Sequence, residues 1–322
     1  MSVARPEVLV VGAGVIGLTV GVCLAEQGLR VQLCARSAPA DTTSAVASAM
    51  IGPSLAPADD PVGIRERVSI EEFTALAGVD GTGVAMRRGR LASRQPGPSL
   101  RGLQPCAPQE LPDGFAAGFW TTLPLVDMPV YLHYLARRLR AAGGKIENRD
   151  VHALSELARE VPLVVNCAGL GARDLVPDPT LRAVRGQHVL VDNPGLEEFF
   201  IEAPFGPAWA AYWPYPDHVV LGGSAVADDE DLEPDPVLAE EILGRCFGVE
   251  PRLRRAQVRT HQVGLCPTRP TVRLEVEQLG AARLVHNYGH GGSGVTLSWG
   301  CAHEAAALLT DQVSERRGVQ GP

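Results

Sequence analysis

The stretch Val8–Gly28, VLVVGAGVIGLTVGVCLAEQG, decides the fold. Val8–Val11 is a short apolar run, right for a strand buried on both faces of a parallel sheet. Val15–Gln27 follows with helical spacing, and Gly28 suits a helix C-terminus. Arg30–Ala35, RVQLCA, reads as a second strand and completes a β-α-β unit. Between strand and helix stand Gly12, Gly14 and Gly17, in the spacing GxGxxG. The first glycine allows a tight turn. The second lets backbone approach a pyrophosphate, and the third lets helix and strand touch. The helix start, Val15 and Ile16, then offers free N–H groups and the positive end of a dipole to the phosphates. Strand, turn and helix together predict a bound dinucleotide, which the glycines alone would not.

The second strand of such a unit ordinarily ends in an acid that holds the ribose hydroxyls. Here it ends LCARS, and Arg36 stands in that place. A guanidinium there could reach a 2′-phosphate, touch a pyrophosphate or stack on adenine.

A second glycine-rich segment lies near the other end: His286–Gly300, HNYGHGGSGVTLSWG. It follows an apolar strand, Leu284–Asn287, and precedes a closing helix, Val295–Leu309. Glycines remove side chains, so backbone N–H groups can reach the edge of a flat polar ring. His286 and His290 are four apart, but no carboxylate stands near them and no helix is expected beneath them, so no metal is predicted. Two such loops at opposite ends of one chain suggest the two ends of one extended cofactor.

The 322 residues suffice for two medium domains or one interleaved unit. With 45% apolar and 20% charged residues the chain is of ordinary globular type. A net charge of −8 and scattered basic residues argue against nucleic acid and against an anionic membrane surface. The seven cysteines are odd in number and form no CxxC, which points to a reducing cytoplasm. No stretch is long and apolar enough to span a bilayer. The C-terminal RRGVQGP carries no recognisable address.

Further elements follow from periodicity. Helices are expected over 61–77, Pro129–Ala142 (with Asp127 as cap) and Pro236–Phe247. Strands are expected near Val84–Met86, Lys145–Glu147 and Leu163–Asn166, the last running into the turn CAGLGA. Others are expected over Gln187–Val191, Ala210–Trp213, His218–Gly222, Ala256–Gly264 and Thr271–Glu275. Gly78–Phe119 reads as irregular. His188 and His218 read as structural, and Trp209 and Trp213 as candidates for a pocket wall. The acidic run Ala227–Asp235 reads as a solvated loop.

HNYGHGGSGVTLSWG closely resembles the C-terminal signature of the D-amino-acid oxidases, which are FAD-dependent. GAGVIGL, TTSAVASAM (Thr42–Met50), VDMPVYLHYL, VNCAGLGA, RGQHVLVD and RPTVRLE match that family in order, so the resemblance spans essentially the whole chain. It implies an α/β fold, with a doubly wound, glutathione-reductase-like FAD-binding domain from 1–56, 127–184 and 278–322. A mostly antiparallel substrate domain would come from 57–126 and 185–277. It implies FAD held noncovalently by the N-terminal fingerprint and Arg36, which is compatible with FAD because several members carry Ala-Arg there. Thr42, Thr43, Ser44, Ala47, Ser48 and Ala49 would contact the flavin, with Cys167, Ala168 and Gly169 beside it. His290, Gly291, Gly292, Ser293, Gly294, Val295 and Thr296 would surround the ring by main-chain contacts. The implied reaction passes a hydride from the α-carbon of a D-amino acid to flavin N5. Oxygen then yields hydrogen peroxide, and water releases a 2-oxo acid and ammonia. No side chain need act as acid or base. The partners implied are a small amine or D-amino acid and O2. The assembly expectation extends no further than a homodimer.

The family grips the substrate carboxylate with a Tyr and an Arg. Tyr212 stands where the Tyr is expected, and the carbonyl of Gly292 would accept from the amine. Where the Arg is expected, VGLCPTRPTVRLE places Cys266. A thiol cannot replace a bidentate cation. Three readings stay open: Arg269 swings in, the substrate's carboxylate is elsewhere, masked or missing, or FAD is kept and turnover lost.

Overall fold

The computed structural model describes residues 5–53, 56–57, 59–97 and 103–318; the last four residues of the RRGVQGP tail fall outside them. The chain opens as expected. Strand β1 (Val8–Val11) enters helix α1 (Val15–Glu26), which returns to strand β2 (Val31–Ala35). α1 is apolar all round and nearly every residue is buried, the pattern of a helix enclosed on all sides. It ends on Gly28, whose φ of +88° only glycine adopts at low cost.

A short strand β3 (Ala49–Met50) and helix α2 (Pro61–Leu76) come next; Asp60 caps α2 through the Val62 N–H. The stretch expected to be irregular instead holds paired strands β4 (Val84–Ser93), β5 (Gln104–Pro105) and β6 (Ala117–Val126). Helix α3 (Met128–Ala141) starts at the Asp127 cap and leads through β7 (Lys145–Asn148), α4 (Leu154–Glu160) and β8 (Leu163–Asn166) to the short α5 (Ala172–Leu175). An antiparallel run follows: β9 (Arg182–Asp192), β10 (Phe199–Glu202), β11 (Ala208–Pro214), β12 (His218–Ser224) and β13 (Val226–Ala227). Helix α6 (Pro236–Val249) covers it. β14 (Val258–Leu279), β15 (Ala282–His290) and α7 (Gly294–Gly318) close the chain.

The described strands join one 15-stranded sheet with two characters. At one end β15, β8, β1, β2 and β7 run parallel in that order. α1, α3 and α7 pack on one face with a core that includes Leu18, Leu135, Trp299 and Leu309; α4 lies over a second core on the other. That is a doubly wound layer. At the other end the pairing is mostly antiparallel, and α6 packs Ile242 and Leu243 onto Val189, Tyr212 and Leu221. β14 joins the halves. Its first part pairs β9 and its second part pairs β15, so the two expected strands are one, passing through Pro267 and Pro270 with a register shift between Thr268 and Arg273. α2 lies within the segment assigned to the substrate half, but Phe73 and Leu76 sit in the core with α1 and α7.

Gly300 lets α7 approach α2: a Cβ there would stand 2.3 Å from the Arg65 carbonyl oxygen and 2.4 Å from its Cα. Propensity alone favours Gly→Ala in a helix by about 1 kcal/mol, but backbone cannot yield cheaply. Gly300→Ala is therefore expected to destabilise by about 1–3 kcal/mol. A higher denaturation midpoint than wild type would show that propensity, not packing, rules this position.

Candidate active site

Each of the five strands of the parallel layer delivers a residue of one cavity at its C-terminal edge: Gly12 after β1, Arg36 after β2, Arg149 after β7, Cys167 after β8 and His290 at the end of β15. Ligands sit there in open α/β sheets, where strand order reverses about the first strand. The cavity holds about 550 Å³.

The floor is backbone. A Cβ on Gly12 would lie 2.4 Å from the Cys167 carbonyl oxygen, and one on Gly17 would lie 2.1 Å from that of Gly12. Gly12, Gly14, Val15 and Ile16 line the cavity, and Gly17 sits beneath as the packing glycine. α1 has no side-chain cap and no acid in its first turn, so its end stays positive. The Ser44 hydroxyl accepts from the Val15 N–H at 3.0 Å, which folds the loop over the turn. Thr42, Thr43, Ser44 and Ala47 line the cavity. Ser48, Ala49, Ser293 and Thr296 stand behind that lining. Ser48 bonds His188, Ala49 starts β3, and the Thr296 hydroxyl donates to the Met50 carbonyl.

Cys167, Ala168 and Gly169 form the next wall, shaped by the Asn166 side chain accepting from the Ala168 N–H at 3.2 Å. Arg36 closes the far end, largely exposed, 3.9 Å from Asp174. At the near end stand His290, Gly291, Gly292, Gly294, Val295 and Cys266, so the two glycine segments do share one cavity. Burial, helped by the Arg65 charge, pushes His290 down to about 3, and burial alone raises the Cys266 thiol; both are neutral at physiological pH.

Two expected roles are not met by the geometry. Tyr212 points away from the cavity: it is 1% exposed, stacks on Phe200 at 5.9 Å and belongs to the core under α6. Strand side chains alternate, so its neighbours Ala211 and Trp213 face the other side of the sheet, in a separate core with Leu123 and Ile201. Arg269 does not swing toward Cys266. Its Nε lies 2.9 Å from Asp178 and 3.1 Å from the Thr180 hydroxyl, and its Nη1 donates to the Thr271 carbonyl at 2.9 Å. Burial disfavours the Asp178 carboxylate, but Thr180, Tyr288 and the Arg269 charge outweigh it and hold that group low.

Sequence reasoning missed Leu265, Pro267, Tyr288 and Asn287 in the lining, and Arg149 and Asp150 at the far end. The last two follow a parallel strand, which is the signal that marks them. Asn287 is informative. It is fully buried, yet neither atom of its amide has a partner, and His290 Nε2 is likewise orphaned. Such groups each cost about 1–3 kcal/mol when left unpaired. Orphaned donors and acceptors, an uncapped helix and glycines without room for Cβ fit a bound dinucleotide with a polar ring.

Known proteins agree. The model of the family described as DAO, FAD dependent oxidoreductase, matches residues 7–308. The chain is 46% identical over 309 residues to the D-amino-acid oxidase of Rubrobacter xylanophilus, covering 93% of this chain and 94% of that one. It is 44% identical over 318 residues to that of Streptomyces coelicolor, covering 94% and 97%. Among solved structures, glycine oxidase from Bacillus cereus superposes with a TM-score of 0.78 over 96% of each chain at 19% identity, a likeness of fold. With the cavity, its unpaired polar groups and a match along nearly the whole length all agreeing, this chain belongs to the family of FAD-dependent oxidoreductases.

Proposed function

We propose that this chain is an FAD-dependent D-amino-acid oxidase, with O2 as the electron acceptor. The observation that carries the reading is the meeting of both glycine segments in one cavity, beside the unpaired Asn287 and His290. Near-full-length identity to relatives named D-amino-acid oxidase supports the same substrate class.

When bound, FAD supplies the hydride acceptor, and its reoxidation by O2 gives hydrogen peroxide. The protein binds and orients. The α1 N-terminus would hold the pyrophosphate, and Arg36 the adenosine end. Thr42–Ala47 would cover the middle, and main chain from His290 to Val295 would frame the ring. The Gly292 carbonyl would accept from the substrate amine. At this end of the cavity no side chain titrates near neutrality: His290 is held neutral by burial, and the Cys266 thiol and Tyr288 phenol are raised. The substrate amine must therefore arrive unprotonated, and activity should rise with pH as the amine loses its proton. Seven free cysteines support a reducing, cytoplasmic setting. The change from parallel to antiparallel pairing at β14–β15 supports a cofactor unit and a substrate unit, with α2 joining the first.

The purified protein should carry flavin that is released on denaturation, and a panel of D-amino acids and their derivatives should generate peroxide while the L-forms do not. Preference for L-enantiomers, or flavin that no panel member reduces, would sink the reading. Asn287→Leu removes both amide atoms at similar volume. It should weaken FAD binding about tenfold or more, the equivalent of about 1.4 kcal/mol. Fluorescence titration checks this, and unchanged affinity would show that Asn287 does not meet the cofactor.

A further inference from the structure

The loop that brings Thr42, Thr43, Ser44 and Ala47 to the cavity is short and made of small residues. It contains one tight turn, Thr43–Val46, with no side-chain cap. Such a segment has little local reason to keep one shape, because fixing each residue costs chain entropy. Its neighbours supply the shape. Side chains alternate along β9, so Val184, Gly186, His188 and Leu190 share one face. On β14, Gly264 stands opposite Gly186. The two glycines leave that face bare, and the loop lies against it. A Cβ on Gly264 would stand 2.9 Å from Val46 Cγ2 and 3.4 Å from Thr43 Cγ2.

Two residues along the same face, His188 meets the loop with both ring nitrogens. Nδ1 lies 3.3 Å from the Val46 carbonyl oxygen, and Nε2 lies 3.2 Å from the Ser48 hydroxyl. A carbonyl can only accept, so Nδ1 carries the proton. Burial, opposed by the Val46 bond, brings the imidazole down to about 4. At neutral pH the ring therefore has no second proton, and Nε2 accepts from Ser48. The Val46 carbonyl is one edge of a planar peptide whose other edge is the Ala47 N–H, which donates to the Ser44 carbonyl at 3.4 Å. Both edges of the plane that presents Ala47 to the cavity are thus held. Upstream, the Ser44 hydroxyl is fixed on the Val15 N–H at the head of α1. Downstream, Ala49 and Met50 pair with β6. His188 ties the stretch between these two anchors to the antiparallel sheet.

Resting on the reading of this cavity as the FAD site, we propose that His188 is a positioning residue for the cofactor, holding Val46–Ser48 in place over the cavity and so slowing the escape of bound FAD. It touches neither cofactor nor substrate and acts through the loop. Without the tie both anchors remain, but the stretch between them is free to swing outward.

The test is the rate at which holoenzyme releases FAD after dilution, followed by free-flavin fluorescence, in wild type, His188→Leu, His188→Asn and Ser48→Ala. Leucine keeps the bulk and removes both bonds. Asparagine gives up bulk but places an amide N–H near the position of Nδ1. His188→Leu should release FAD about tenfold faster than wild type, the equivalent of about 1.4 kcal/mol. His188→Asn should release it more slowly than His188→Leu. Ser48→Ala, which leaves the Val46 bond in place, should release it about threefold faster than wild type. A packing role gives the reverse order, because leucine fills the site and asparagine does not. His188→Asn no slower than His188→Leu, or His188→Leu at the wild-type rate, overturns the inference. If His188→Leu does not fold, Ser48→Ala at the wild-type rate overturns it alone. A wild-type protein that binds no FAD removes the cofactor reading itself; FAD held by wild type and released equally by the variants removes only the tie.

Discussion

The constraint on which the site depends is backbone against backbone. The turn after β1 meets the turn after β8 with no room for a side chain, because the Cys167 carbonyl stands where Gly12 would carry its Cβ. Two hydrogen bonds fix the meeting: the Gly12 N–H to the Cys34 carbonyl and the Cys167 N–H to the Val11 carbonyl, both 2.9 Å. Three parallel strand ends are thus tied at one level. α1 can start only above that knot, and Gly17 lets it sit down on the Gly12 carbonyl. The free N–H groups of α1 then face the cavity by necessity, and the loop holding Ser44 has a fixed floor to close on.

From that knot the rest of the site is reached through β14. This strand pairs antiparallel with β9 and with β15, and β15 in turn pairs parallel with β8. Thr268 is opposite Arg182 on one side and His290 on the other. Cys266 and Thr268 therefore stand near the seam between the parallel layer and the antiparallel sheet. Beyond the seam, a buried network holds the strand end in place: Arg273 donates to the Tyr288 hydroxyl at 2.7 Å, and that hydroxyl donates to Asp178 at 2.8 Å, which also binds Arg269. Removing one partner from such a network leaves the others buried and unpaired, so its charges act as bracing and are not available to a ligand.

Much of this was legible in the chain wherever chemistry and period agree. The β-α-β opening has strict apolar runs and a turn only glycines can make. α3 announces itself by Asp127, Pro129 and an apolar stripe. The misses have physical causes. β4 and β6 pair along ten residues each, but Gly, Pro and Arg interrupt their alternation, and long-range pairing holds them together. β14 carries two prolines, which read as breaks, yet Pro270 falls within the ladder irregularity and Pro267 lies just before it, opposite Ala183 of β9. Tyr212 fails by a single step. A motif match fixes where a residue lies along a strand, but one position of slip turns it to the other face. Arg269 fails for another reason: nothing local in the sequence shows that Asp178 claims it.

The electrical character of the site follows from these placements. The arginines nearest the glycine loop are paired, its histidine is neutral, and its thiol keeps its proton. The fixed field that remains is that of α7, whose first residues Gly294 and Val295 line the cavity. A helix end carries roughly half a positive charge within its first turn. Such a field favours whatever gains electrons at this end of the cavity and disfavours a protonated amine arriving there. A free cation beside it would hold the substrate more firmly but add a second positive charge against that amine.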